Sequence, residues 1–121
     1  MENIQGIFYI NLDHRTDRRK LFEDECTNMG ISAEHFSAFR TSPGYIGCQK
    51  SHIEILKIAK ERNLENIIIF EDDFKFLVNK ETFHGLIKNF FDLGIPYDVV
   101  MLSYNLYHGC DFNSIVGKVI Y

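Results

Sequence analysis

An α/β fold with a mainly parallel sheet flanked by helices is predicted by three observations. Ile4 to Leu12 and Asn66 to Phe70 are short, nearly continuous apolar runs, as expected of strands covered on both faces. Between and after them lie stretches with helical periodicity and their own start and stop residues. Strands and helices therefore alternate, and each crossover must return the chain in the same strand direction.

The first strand carries Ile7, Phe8, Tyr9, Ile10 and Leu12. Thr16 can cap the helix that follows, from about Asp17 to Met29, in which Phe22, Cys26 and Met29 fall at i, i+4 and i+7 and Gly30 supplies a stop. Glu34 to Phe39, with Phe36 and Phe39, forms a short second strand of weak alternation. Ser42-Pro43-Gly44 offers cap and turn chemistry before a second helix that places His52, Ile55, Leu56 and Ala59 on one face and ends near Asn63. Asn66 to Phe70 is too apolar for an edge and too short for a helix, so a central strand is expected. It delivers the chain to Glu71-Asp72-Asp73. Asn79 can cap a third helix with Phe83, Leu86, Ile87, Phe90 and Phe91 in helical register, followed by Gly94 and Pro96. Val99 to Leu102, within Tyr97 to Ser103, read as a further buried strand. Asn105, His108, Gly109, Asp111 and Asn113 suggest a loop, and Ile115 to Tyr121 a last strand.

The 121 residues fit a single domain, and 45% hydrophobic with 25% charged residues is globular composition rather than disorder. A formal net charge of -4 argues against a nucleic-acid partner. His14 to Lys20 is basic but interrupted by Asp17 and followed by acids, so it is a local anion site or a solvated helix face. Cys26, Cys48 and Cys110 show no paired spacing, which fits a reducing compartment. No basic n-region with a long apolar stretch opens the chain, and no run approaches the roughly 20 apolar residues of a membrane span. A cytoplasmic protein without signal peptide or membrane span is the expectation.

Ligands of parallel α/β sheets collect beyond the carboxyl ends of the strands, which directs attention to the turns after Leu12, Phe70 and Leu102. Three adjacent acids at such a turn repel one another unless a cation compensates them. Oxygen ligands suit magnesium or manganese, with a diphosphate completing the shell. Glu71 and Asp73 face together if the strand continues; Asp72 joins Asp73 if the chain turns sharply after Phe70. Taken alone, the tripeptide reads more readily as a capping or solvated acidic turn than as a metal site.

Three segments together, Ile7-Phe8-Tyr9-Ile10-Asn11-Leu12-Asp13-His14-Arg15-Thr16-Asp17-Arg18, Gly47-Cys48-Gln49-Lys50-Ser51-His52 and Ile67-Ile68-Ile69-Phe70-Glu71-Asp72-Asp73, resemble glycosyltransferase family 25 in order and spacing. That family includes lipopolysaccharide-type and procollagen-type galactosyltransferases. The resemblance implies a GT-A (Rossmann-like) fold, a UDP-sugar donor such as UDP-galactose, and Mn2+ or Mg2+ as cofactor. It further implies inverting transfer to a glycan or glycoprotein acceptor, including a hydroxylysine-type one.

By the same resemblance Glu71, Asp72 and Asp73 stand where a D-x-D motif holds the metal against the donor diphosphate, Asp73 being the first choice of direct ligand. Asn11 and Leu12 would lie near the base or ribose. Arg15 or Arg18 would meet the phosphates, for which a planar guanidinium is suited; each is otherwise an exposed helix residue. Gly47 would permit close approach of the donor. Ser51 or His52 would donate to the sugar or orient an acid, although a histidine on such a face is also an ordinary packed residue. Inverting transfer needs a carboxylate base, for which Asp98 and Asp111 are weak candidates.

The resemblance ends at Tyr121, before the C-terminal acceptor part of the family. A single nucleotide-sugar-binding domain over 1–121 is therefore expected, its acceptor site absent, reduced or supplied by a partner chain. The alternative is a decayed transferase acting as a non-catalytic nucleotide- or protein-binding module. A phosphatase is disfavoured because the first strand does not end in a nucleophilic D-x-D.

Overall fold

Side chains of β1 (Gly6–Asn11) alternate between two faces of a sheet, and that alternation organises the segment Met1–Lys80. The computed structural model describes residues 1–103 and, as backbone, 109–111 and 117–119. β2 (Glu34–Ser37) and β3 (Ile67–Glu71) flank β1, both parallel to it, in the order β2-β1-β3. Phe8 and Ile10 point to one face and pack with Ile55 of α2 (Gly44–Glu61). Tyr9 and its register partner Phe70 point to the other, against Phe22 of α1 (Thr16–Asn28). The ring centroids are 5.0 Å apart for Tyr9 and Phe22, and 5.6 Å for Phe22 and Phe70. The fold is thus α/β with a parallel three-stranded sheet, as the alternation of elements predicts.

The buried Tyr9 hydroxyl donates to Glu23 of α1. Burial, reinforced by that carboxylate, raises the phenol well above its ordinary value of 10.0. A raised folded value means that the native state holds its proton where the unfolded chain releases it. Stability is therefore lost as pH climbs above 10, by up to about 1.4 kcal/mol per pH unit. Tyr9→Phe is expected to flatten this alkaline dependence in denaturant titrations at several pH values.

Local stop signals behave as expected. Gly30 adopts φ 65 and Gly94 φ 62, both in the left-handed region that favours glycine, and Asn63 does the same at φ 55 just after α2. Thr16, in contrast, lies inside the first turn of α1, and Arg15 occupies the cap position without a side-chain capping hydrogen bond.

The buried face of α2 is also displaced from the expected one. It runs through Gly47, Ser51, Ile55 and Ala59, whereas Leu56 is 55% exposed. Small residues at the first two positions, rather than large apolar ones, mark the side that packs closely. β3 is not central either: among the described residues it pairs only with β1. The neighbour expected from Val99 to Leu102 forms no strand, and Val99 and Met101 are 77% and 61% exposed. β-branched composition alone does not make a strand without a ladder partner.

The segment Glu81–Tyr121 is a second compact unit. Apart from its first residue it contains α3 (Lys80–Asp92), as the periodicity predicts. Phe83 is buried, Leu86 is exposed, and Phe90, Phe91 and Tyr97 form an aromatic group with centroids 5.1 to 6.1 Å apart. β4 (Gly109–Asp111) and β5 (Gly117–Val119) pair antiparallel, so Gly109 and Asp111 lie in a strand rather than a loop. β5 falls within the expected last strand. Asn105, His108 and Asn113 lie outside the described residues. No helix among the described residues is long and apolar enough to cross a membrane.

Candidate functional site

β1 and β3 end side by side, with Ile10 in register with Glu71. The ladder runs one residue further, because the Asp72 amide donates to the Ile10 carbonyl at 3.1 Å, and the Phe74 amide then closes a turn onto the Glu71 carbonyl at 3.0 Å. Strand alternation therefore persists through Glu71 and separates the acids. Asp72, with a side chain 12% exposed, turns towards α1. Glu71 turns towards α2.

Asp72 accepts from Asn11 Nδ2 at 2.7 Å and from Arg18 Nη1 at 3.4 Å. Asn11, 1% exposed, also donates to the Arg15 carbonyl at 3.1 Å, and its Oδ1 lies 3.1 Å from His35 Nε2. One buried amide thus joins the end of β1, the start of α1, β2 and the acidic turn. The visible role of Asn11, expected near a base or ribose, is that of a buried brace. Leu12 is half-buried, and its carbonyl accepts from the Arg15 amide at 2.8 Å, tightening the turn.

The two arginines differ. Arg15 forks Asp17, at 3.0 Å from Nε and 2.9 Å from Nη2, and this pairing holds the Asp17 carboxyl far below the usual carboxylate range. Arg18 reaches the acidic turn through Nη1 and is 43% exposed, which leaves other nitrogens of its fork for an anion.

On the α2 side, Cys48 Sγ lies 3.2 Å and His52 Nε2 3.4 Å from Glu71 Oε1. Burial comes first, with Glu71 and Asp73 adding to it, in pushing the Cys48 thiol up to about 11. Asp73 is exposed and makes no hydrogen bond or ion pair among the described residues. β3 ends at Glu71, and Asp72 and Asp73 lie in the turn that follows it.

Gly47 and Ser51 are fastened to the chain itself. A Cβ at Gly47 would lie 2.2 Å from the Phe39 carbonyl oxygen and 2.9 Å from Thr41 Oγ1, so the space expected for a donor is filled by backbone. Ser51 is fully buried; its hydroxyl donates to the Gly47 carbonyl at 2.8 Å and accepts from the Phe39 amide at 3.1 Å. The Ser51 hydroxyl is thus engaged within the chain itself. Of the pair, only His52 can orient an acid, and that acid is Glu71. Gly47→Ala is expected to cost about 1 to 3 kcal/mol, read from the urea midpoint, because backbone must move.

Asp98 is exposed in the second unit, and the Asp111 side chain lies outside the described residues. Sequence reasoning missed Cys48 and His35 as members of the site. The one available signal was the i, i+4 spacing of Cys48 and His52, which places them on one helix face. A cleft of about 360 Å³ lined by Ile4 to Ile7 and Ser32 to Glu34 lies at the opposite, amino ends of β1 and β2. It holds Glu34, already forked by Arg62 at 2.7 and 3.0 Å, and no converging set of unengaged polar groups. The carboxyl ends of β1 and β3 are therefore the better site.

Comparison with known proteins identifies the family. Residues 40–102 match the model of glycosyltransferase family 25 (LPS biosynthesis protein), a span that contains α2, β3 and the whole acidic turn. A glycosyltransferase 25 family member of Drosophila melanogaster is 31% identical over 61% of this chain and 17% of its own length. One of Anopheles gambiae is 28% identical with the same coverage. Procollagen galactosyltransferase 1-B of Xenopus laevis is 27% identical over 80% of this chain and 21% of its own length. The chain thus spans only a minor part of the curated relatives it matches. No solved structure matches it. The family match covers more than half of the sequence and all three acids of the turn, and the chain belongs to glycosyltransferase family 25.

Proposed function

We propose that this chain carries the donor end of a glycosyltransferase of galactosyltransferase type, binding a UDP-sugar and a divalent cation beyond the carboxyl ends of β1 and β3. The observation that carries this reading is the sorting of the acids. Asp73 is exposed and follows Glu71 in the turn at the end of β3, while Asp72 is engaged by Asn11 and Arg18. Carboxylates at such a turn fit Mn2+ or Mg2+, which take oxygen ligands and complete their shell with phosphate oxygens. Asp72 then belongs to the metal set only through its neighbours; its own role is to aim Arg18.

When bound, the cation offsets charge on the departing nucleoside diphosphate. The chain's own residues do the rest. Arg18 offers free guanidinium nitrogens to phosphate oxygens, Asp72 aims it, and Asn11 locks Asp72 in place. His52 holds Glu71 from the helix side. The family and the likeness to a procollagen galactosyltransferase support a hexose, in particular galactose, as the transferred sugar and a glycan or hydroxylysine-type acceptor. Inverting transfer would call on a carboxylate base, for which Asp98 and Asp111 are the candidates in this chain.

Calorimetric titration of UDP-galactose tests the reading. Binding in the presence of manganese that weakens at least tenfold when the metal is withheld is expected. Absence of binding, or affinity indifferent to manganese, would overturn it.

A further inference from the structure

Cys48 and His52 leave α2 from one face, four residues apart, and both meet Glu71 at the end of β3. One ligand atom from each, Sγ, Nε2 and a carboxylate oxygen, all lie within 4.8 Å of one another. Two of the three separations are 3.2 and 3.4 Å. Around a tetrahedral cation with bonds of about 2.0 to 2.3 Å, ligand atoms stand roughly 3.3 to 3.7 Å apart. The two separations to Glu71 are therefore close to the edge lengths of such a site before any cation enters, and the third is within 4.8 Å.

Its chemistry differs from that of the neighbouring oxygens. One sulfur, one imidazole nitrogen and one carboxylate make a borderline-soft donor set, which selects zinc-like ions over magnesium or manganese. The cluster is open to solvent, with the His52 and Glu71 side chains 37% and 52% exposed, so a cation can reach it without unfolding. A helix face supplies two ligands and a strand end the third, so the backbone fixes their spacing.

We propose that Cys48, His52 and Glu71 form a binding site for Zn2+, with three protein ligands and a fourth coordination position left to water or another ligand. The site shares Glu71 with the cation of the donor reading above, so the two cations compete for that carboxylate, but it needs no nucleotide and is tested without one.

Cobalt(II) is the spectroscopic probe for zinc. Titrated into the intact chain without nucleotide, it is expected to bind one equivalent and to give a thiolate-to-cobalt charge-transfer band with tetrahedral visible absorption. One equivalent of Zn2+ should displace both signals. Cys48→Ser should abolish the charge-transfer band, and His52→Ala should weaken cobalt affinity more than about tenfold. Cys110→Ser should change neither. Circular dichroism of each variant separates loss of a ligand from loss of the fold. No charge-transfer band, a band that survives in folded Cys48→Ser, or unchanged affinity in His52→Ala would overturn the site. A cobalt site of this kind in a chain that fails to bind UDP-galactose would reject the donor reading alone.

Discussion

Asp73→Asn is expected to lower manganese-supported affinity for UDP-galactose by about 100-fold or more, with little change in the unfolding midpoint. Replacing residues that merely support metal ligands costs about 10- to 100-fold, and removal of a ligand carboxylate should reach or exceed the upper end. The fold should tolerate the change because Asp73 is exposed and carries no hydrogen bond or ion pair among the described residues. Asp72→Asn provides the contrast. It removes the ion pair with Arg18 and alters the bond from Asn11, so it should disturb both stability and affinity. Calorimetry paired with urea denaturation separates the two variants. Equal affinity for wild type and Asp73→Asn would remove Asp73 from the site.

The largest loss of stability is expected at Phe70. This ring is 2% exposed and meets Phe74, Phe22 and Phe76 at centroid separations of 4.8, 5.6 and 5.6 Å. Phe70→Ala should cost about 3 to 5 kcal/mol, because it removes buried area and leaves a cavity between the sheet and α1. Periodicity alone ranks Phe90 as an equal core residue. Phe90 is only half-buried, so Phe90→Ala should cost clearly less. Denaturant titrations of the two variants give the order, and a greater loss at Phe90 would contradict the packing described for Phe70.

Patterns confined to a few neighbouring residues were legible in the sequence. The nearly continuous apolar run of β1, the β-branched run of β3 and the stops at Gly30, Asn63 and Gly94 all locate real elements. What depends on a distant partner was not. Val99 to Leu102 has the composition of a strand but no ladder, since composition does not supply a neighbour. The packed face of α2 was misplaced because Gly47 and Ser51 are small, and hydrophobic periodicity gives weight to large side chains such as Leu56.

The site divides in the same way. The acidic turn and its place after β3 could be read directly. The brace made by Asn11 could not, because it links residues 24 and 61 positions away, His35 and Asp72. Gly47 and Ser51 stood out in the motif, yet their visible role is to hold the segment of Phe39 and Thr41 against α2. Cys48 drew no attention beside them, although it is the residue that meets Glu71.

The donor reading proposes a hard divalent cation on Glu71 and Asp73, beyond the carboxyl ends of β1 and β3. Paramagnetic broadening of backbone amide resonances by substoichiometric Mn2+, with UDP present, locates that cation directly. Amides of Glu71, Asp73 and Cys48 should broaden first, while those of Gln5 and Ser32 at the opposite end of the sheet remain sharp. Broadening centred on another acidic group, such as Asp17 or Asp24 on α1, or spread evenly over the surface, would contradict the account.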